Sequence, residues 1–464
     1  MEITFAGAAR TVTGSQHLLR INGHQLLLEC GLFQGRRADT YAINRNFPFD
    51  PSSLDAVILS HSHIDHCGNL PNLVRQGFGK SIHATPSTVD LTDLTLRDSG
   101  HIQESDIVYL NKKRQRQGLD PVEPLYTSAD AAAVSDHLVM HPYDQPFEPV
   151  PGVVARLVDA GHILGSAGIV LELEEKGRKV RLMFSGDIGR LRMPLLRDPV
   201  PPSDVDVLLM ECTYGDQPHP SPESATRGLR DVLRRTFERR GKVIIPAFAI
   251  GRTQLLVYTL HLMFDAGELP RVPVYVDSPL ATSATEIFRR HPEDFDRQAT
   301  ALLNSDPSGT LFGFDLLTFT RSVDESKAIN ERKGPLVILS ASGMAETGRI
   351  LHHLRNNIED PRNTVVINSW MAPDTLGRRL AEGQKNVRVF GDEFTVRAEV
   401  ASVKGFSAHA GQDYLVTYAR ASAGTLKQLF LVHGEQDAAD ALRAKLAGLK
   451  AAIHYPEKGT RIEL

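Results

Sequence analysis

Residues 60–70 read SHSHIDHCGNL and crowd three histidines and an aspartate into the six positions from His61 to His66. Histidine makes up only 18 of 464 residues, so chance explains the cluster poorly. The residues just before it, Ala56-Val57-Ile58-Leu59, form a short apolar, β-branched run that reads as a buried strand. Four adjacent polar side chains at the end of such a strand would each need a hydrogen-bond partner of its own. A cation removes that cost. Imidazole and carboxylate are the ligands of zinc-type metals, and a strand end is a rigid platform for them. Residues two apart share a side while the chain stays extended, so His61 and His63 can reach one ion. Asp65 and His66, displaced by the turn, can serve a second.

Three positions downstream supply the remaining ligands in similar settings. His162 sits in DAGHILGSAG, a Gly-bounded loop ahead of a strand. Asp187 sits in FSGDIG directly after the apolar run VRLMF, and His433 in LFLVHGE at the end of another apolar run. Taken alone, His162 or His433 reads as a loop histidine or strand-end cap. Added to the cluster, they complete a set of five imidazoles and two carboxylates. That set suits a dinuclear site, with Asp187 placed to bridge.

Length and composition bound what surrounds this site. A chain of 464 residues suggests two or three domains, and 41% hydrophobic with 23% charged residues is the balance of a globular protein. No apolar run approaches the roughly 18 residues of a membrane span, so no membrane partner is expected. No secretory signal is visible in MEITFAGAAR. Cys30, Cys67 and Cys212 are odd in number and far apart, which argues against disulfides and for a reducing compartment, the cytoplasm. A net charge of −4 is not the global footprint of a nucleic-acid binder, but local basic patches act at short range. KKRQRQG (residues 112–118) and RRTFERRG (residues 234–241) are such runs, read here as solvated helix faces.

The first 200 or so residues are rich in strand signals. HLLRINGHQLLLEC is a hairpin turning at Asn22-Gly23, and IVLELEEKGRKVRLMFSGD is a second turning at Glu175 to Arg178. Between them, Thr88 to His141 favours helix. From PPSDVDVLLMECTYG onward, strands alternate with helical segments, which predicts a parallel sheet covered by helices. The tail, VASVKGFSAHAG and KQLFLVHGE, returns to histidine-bearing strand ends. The α/β region is therefore an insertion, and the expected domains are residues 1–208, 209–392 and 393–464, the first and last belonging together.

SHSHIDHCG, AGHILGSAG and FSGDIG resemble motifs two to four of the metallo-β-lactamase superfamily. LLMECTYGD, VKGFSAHAGQ and LVHGEQ resemble motifs A, B and C of its β-CASP branch of RNA-processing nucleases. The resemblance implies an αββα sandwich with an inserted α/β β-CASP domain. It implies His61, His63 and His162 on one zinc, Asp65, His66 and His433 on the other, and Asp187 between them. His409 of motif B would be the general acid and Glu211 of motif A its partner. A histidine at motif C, here His433, resembles the RNA-acting members. Two departures stand out: Glu29 in LLLECG replaces the usual aspartate of motif one, and INSWMAPDTLG replaces a Gly-aromatic-Gln opening.

PAFAIGRTQ and SASGMAETG are strand-to-helix junctions of the kind that bind phosphate through backbone N–H groups. Simple helix starts explain them equally well. The resemblance favours Arg252 and Ser342 as phosphate contacts. His83, His352 and His353 read as structural or surface histidines. Trp370, the only tryptophan, has a face on which a base could stack, but a lone tryptophan more commonly packs, and it is read so.

These readings converge on a zinc ribonuclease with two Zn2+ ions per chain, cleaving single-stranded RNA by a hydroxide held between the ions. A homodimer is a possible assembly. The alternatives are a DNA nuclease of the same branch, with His433 as the discriminating residue, and a small-molecule ester or thioester hydrolase of the superfamily.

Overall fold

The computed structural model describes residues 1–35, 37–305 and 310–464. The chain forms two compact units. The first comprises Met1–Leu191, Asp198–Pro218 and His409–Leu464; the second comprises Arg192–Arg197 and His219–Ala408.

The first unit is built on two seven-stranded sheets. In one, the strands run in the order Arg461–Glu463, Glu2–Gly7, Gln16–Ile21, His24–Leu28, Ala56–Ile58, Ser81–Ala84 and Leu138–Met140. In the other the order is Ala452–His454, Gln428–Val432, Val207–Glu211, Arg178–Phe184, Ala167–Glu175, Val153–Asp159 and Phe147–Val150. Alternate residues of each strand face different layers, as the pleat requires. Leu26, Leu28, Ile58, Leu182, Val207 and Phe430 fill the space between the sheets. Their neighbours Leu27 and Val57 pack outward under helices, beside Leu70, Leu73 and Leu96. On the far side Leu208, Met210 and Leu431 meet Leu415, Tyr418 and Leu442. Both faces of each sheet are thus covered, which is why these strands read as continuous apolar runs. The architecture is the expected αββα sandwich.

Asn22 and Gly23 take φ of 51° and 81°, the left-handed pair that a two-residue hairpin needs. The helix-favouring stretch becomes a long helix, Pro86–Arg116, capped by the Thr85 hydroxyl, followed by the short helix Ser128–Ala133. Cys30, Cys67 and Cys212 are free and buried. No helix among the described residues is long and apolar enough to cross a membrane.

The second unit holds a six-stranded sheet ordered Leu317–Phe319, Val274–Val276, Leu336–Ser340, Lys242–Pro246, Thr364–Ile367 and Glu399–Ser402. Every pairing in it is parallel, as strand-helix alternation predicts. A buried Asp277 follows the strand Val274–Val276 and accepts hydrogen bonds from Thr320, Ser326, Arg349 and His353. His353 is fully buried, so its structural reading holds.

Candidate metal centre

Every part of this centre lies in the first unit, at strand ends. His61 and His63 follow the buried strand Ala56–Ile58, and His63 is the N-cap of a one-turn helix, Ile64–Cys67, that carries Asp65 and His66. The extended-to-helical switch at His63 divides the four side chains into two pairs. His162 is held by a tight loop in which the Ser166 hydroxyl accepts the amides of His162 and Ile163 at 2.9 and 3.1 Å. Asp187 follows the strand Arg178–Phe184, one residue after Gly186 (φ 55°), where a Cβ would lie 2.6 Å from that of Ser60. His433 follows the strand Gln428–Val432 and takes φ of 49°. Its amide donates to Ala8 O at 2.8 Å.

The side chains converge in two groups. In the first, His63 Nδ1 lies 3.0 Å from His61 Nε2 and 3.2 Å from His162 Nε2. Asp187 Oδ2 is 3.5 Å from both His61 and His162. In the second, His66 Nε2 and His433 Nε2 are 3.2 Å apart, and Asp65 Oδ2 is 3.4 Å from His433. Asp187 Oδ1 stands 3.4 Å from His66 Nε2 and 3.6 Å from His433 Nδ1. One carboxylate thus turns one oxygen toward each group.

These residues fit divalent cations. Imidazole nitrogens aimed at one another at 3.0–3.2 Å leave lone pairs that a shared positive charge must satisfy. Asp187 is 2% exposed, and its Oδ1 accepts no hydrogen bond of ordinary geometry. Such a buried carboxylate oxygen is costly unless a cation meets it. Burial holds His61 and His162 well below the ordinary histidine range and His63 down to about 4, which favours the neutral imidazole that a cation needs.

Further side chains orient the residues of the cluster. Glu29, with φ 65°, accepts His66 Nδ1–H at 2.6 Å on Oε2 and the Ser60 amide at 2.5 Å on Oε1. This departure from aspartate therefore aims His66 Nε2 at the centre. The Ser60 hydroxyl stands 2.9 Å from His61 Nδ1, and the Thr213 hydroxyl stands 3.1 Å from His433 Nδ1. Neither Ser60 nor Thr213 was singled out in the sequence. Ser60 is adjacent to His61 and could have been suspected, but Thr213 and His433 are 220 residues apart.

His409 is brought to the same place by a bridge to Gly189. Its Nδ1 is 3.1 and 3.3 Å from the two oxygens of buried Glu211, and its Nε2 is 3.9 Å from Asp187 Oδ2. Burial opposes charge on His409, but the Glu211 and Asp187 carboxylates outweigh it and hold its pKa up to about 9. Glu211 also accepts the amides of Ile188 and Thr213, so its position is fixed.

Arg252 and Ser342 lie in the second unit, after the adjacent strands Lys242–Pro246 and Leu336–Ser340. Arg252 is 9% exposed, and its Nη1 donates to Asn368 O at 2.8 Å and Oδ1 at 2.9 Å. The Ser342 hydroxyl accepts the amides of Glu346 and Thr347 within its own loop.

An αββα sandwich carrying a histidine–aspartate centre at its strand ends defines a metal-dependent hydrolase. Residues 10–247 match the model of the metallo-β-lactamase superfamily, and residues 253–380 match that of the Beta-Casp domain. Residues 393–456 match the Zn-dependent metallo-hydrolase RNA specificity domain. The chain belongs to the metallo-β-lactamase superfamily, in its β-CASP branch. It is 36% identical to Ribonuclease TTHA0252 of Thermus thermophilus, over 96% of both chains. It is 30% identical to an RNase J-like protein of Methanocaldococcus jannaschii, over 89% of this chain and 87% of that one. Transcription termination factor FttA of the same archaeon is 28% identical over 96% of this chain and 69% of its own length. A crystal structure of a protein of unknown function from Enterococcus faecalis V583 shares the fold, with a TM-score of 0.57 at 13% identity over 100% of this chain and 99% of that one.

Proposed function

We propose that this protein is a zinc-dependent ribonuclease that holds two Zn2+ ions and hydrolyses phosphodiester bonds of single-stranded RNA, in RNA processing or decay. The observation that carries the reading is the pairing of His409 with buried Glu211 beside Asp187. His61, His63 and His162 would hold one ion, Asp65, His66 and His433 the other, with Asp187 shared. When bound, such a pair of cations activates water and screens charge on a phosphate group. The chain's own residues supply the rest. Glu211 orients His409 and favours its charged form, and His409 then delivers a proton to the departing 3′ oxygen. The product would carry a 5′-phosphate.

RNA is favoured over DNA by the RNA specificity model at residues 393–456 and by the ribonuclease names of two relatives. A small-molecule hydrolase would have no use for the second unit. Arg252, by shaping the Asn368 loop, and Ser342, by its hydroxyl, are assigned to the side that holds the phosphate backbone. The test is product sizing on 5′- and 3′-labelled single-stranded RNA, with zinc and with chelator. Metal-dependent products ending in 5′-phosphate are expected. Equal or faster cleavage of single-stranded DNA would replace the reading with a DNA nuclease.

A further inference from the structure

Trp370, the only tryptophan of the chain, is 51% exposed. That exposure overturns the packing role expected for it. Phe248 is 42% exposed. Both follow neighbouring strands of the second unit's parallel sheet, Lys242–Pro246 and Thr364–Ile367. They therefore share the carboxyl edge of the sheet, the edge at which open α/β sheets receive ligands. Phe390 is exposed to a similar degree, but its ring lies 4.6 Å from that of His352. Neither Phe248 nor Trp370 has an aromatic or cationic ring partner among the described residues.

The loops that carry the two rings are braced. Asn368 Nδ2 donates to Pro246 O at 2.8 Å, joining the two loops two residues from each ring. Arg252 clamps Asn368 from the other side. The Thr253 hydroxyl donates to Phe248 O at 2.7 Å. Beyond Trp370, the Gly377 amide donates to Met344 O at 3.1 Å. Phe248 lies so close to Gly343 that a Cβ there would come within 2.9 Å of its ring carbons. Two large apolar rings are thus held toward water on fixed backbone, an arrangement that folding alone does not reward.

We propose that Phe248 and Trp370 are stacking platforms for bases of single-stranded RNA. The inference rests on the ribonuclease reading and extends it to the substrate-holding surface of the second unit. Every base has a π face, so stacking of this kind tolerates any sequence. It also explains why Asn368 and Arg252 are buried together: they hold the platforms in place.

Because Trp370 is the sole tryptophan, its fluorescence reports directly on stacking. The probe is a ten-nucleotide single-stranded RNA with phosphorothioate linkages to slow hydrolysis, mixed with the full-length zinc protein. An abasic strand with the same backbone is the control, and anisotropy of a labelled strand measures binding independently. Binding of the base-bearing strand should quench Trp370, and binding of the abasic strand should not. Phe248→Ala and Trp370→Ala should each weaken the base-bearing strand about tenfold and leave the abasic strand unchanged, while Trp370→Phe keeps most of the affinity. Anisotropy that reports binding without quenching, or equal losses on both strands, overturns the stacking assignment and leaves the ribonuclease reading standing. Absence of both binding and cleavage of RNA overturns the two together.

Discussion

Glu29 Oε2 lies 2.6 Å from His66 Nδ1, and the other oxygen of the same carboxylate accepts the Ser60 amide. A carboxylate behind a ligating imidazole fixes its tautomer and raises its basicity. Glu29→Gln should preserve the shape but weaken metal binding by about 10–100-fold, the usual cost of losing such a partner. Competition with a chromophoric chelator measures it. An unchanged affinity would mean that Glu29 only fills space.

Metal content follows from the two ligand groups. Seven ligands are too many for one tetrahedral ion, so elemental analysis should return about two zinc ions per chain. Asp65→Ala should lower that number toward one, because Asp65 Oδ2 lies 3.4 Å from His433 and 3.9 Å from His66. A stoichiometry of one that Asp65→Ala leaves unchanged would refute the dinuclear centre.

His433 and His409 should respond differently to removal. His433→Ala should lose metal first and activity as a consequence, with part restored by excess zinc. His409→Ala should keep both ions and slow cleavage by roughly 10²–10⁴, the range for losing a general acid. Glu211→Gln should resemble the His409 loss without adding to it, since residues acting as one unit are not additive. Rescue of His409→Ala by a substrate with a better leaving group checks the assignment. Loss of an ion in His409→Ala would disprove it.

Asp277 is fully buried and accepts Arg349 Nη1–H at 2.7 Å and His353 Nε2–H at 2.6 Å. Asp277→Ala strands those donors and should destabilise the second unit by about 3–5 kcal/mol. Denaturant unfolding followed by Trp370 fluorescence reads this unit selectively, because the only tryptophan lies in it.

His83 Nδ1 lies 2.9 Å from His141 Nε2, and burial together with that neighbour lowers the His83 pKa to about 4 from an ordinary 6.5. Between these two values the unfolded chain binds a proton that the native state refuses. Stability should therefore fall as pH drops from 6.5 toward 4. His83→Gln should remove about 1–3 kcal/mol of that acid-side loss, as pH-dependent unfolding midpoints would reveal. Identical pH profiles for the two proteins would rule it out.

The residues of the candidate centre were legible in the sequence because His61, His63, Asp187 and His433 come after apolar runs, and a buried strand end is a local feature that pattern records. His61, His63, Asp65 and His66 declare themselves by density; Asp187 and His433 repeat the strand-end setting, and His162 sits in a Gly-bounded loop ahead of a strand. Strand-helix alternation likewise marked the second unit, since periodicity of burial is written along the chain. The pairing of His409 with Glu211 came from resemblance, and the bridge between His409 and Gly189 supplies its geometry. Other features depended on which strands became neighbours. Glu211 pairs with Val432 in register, and only that brings Thr213 to His433. The turn of Asp187 toward both groups, the engagement of Glu29 with His66 and the clamp of Arg252 on Asn368 are contacts across long loops. The exposure of Trp370 was the clearest of these. A side chain's type states what burying it would gain, but only the assembled layers decide which side chains are covered.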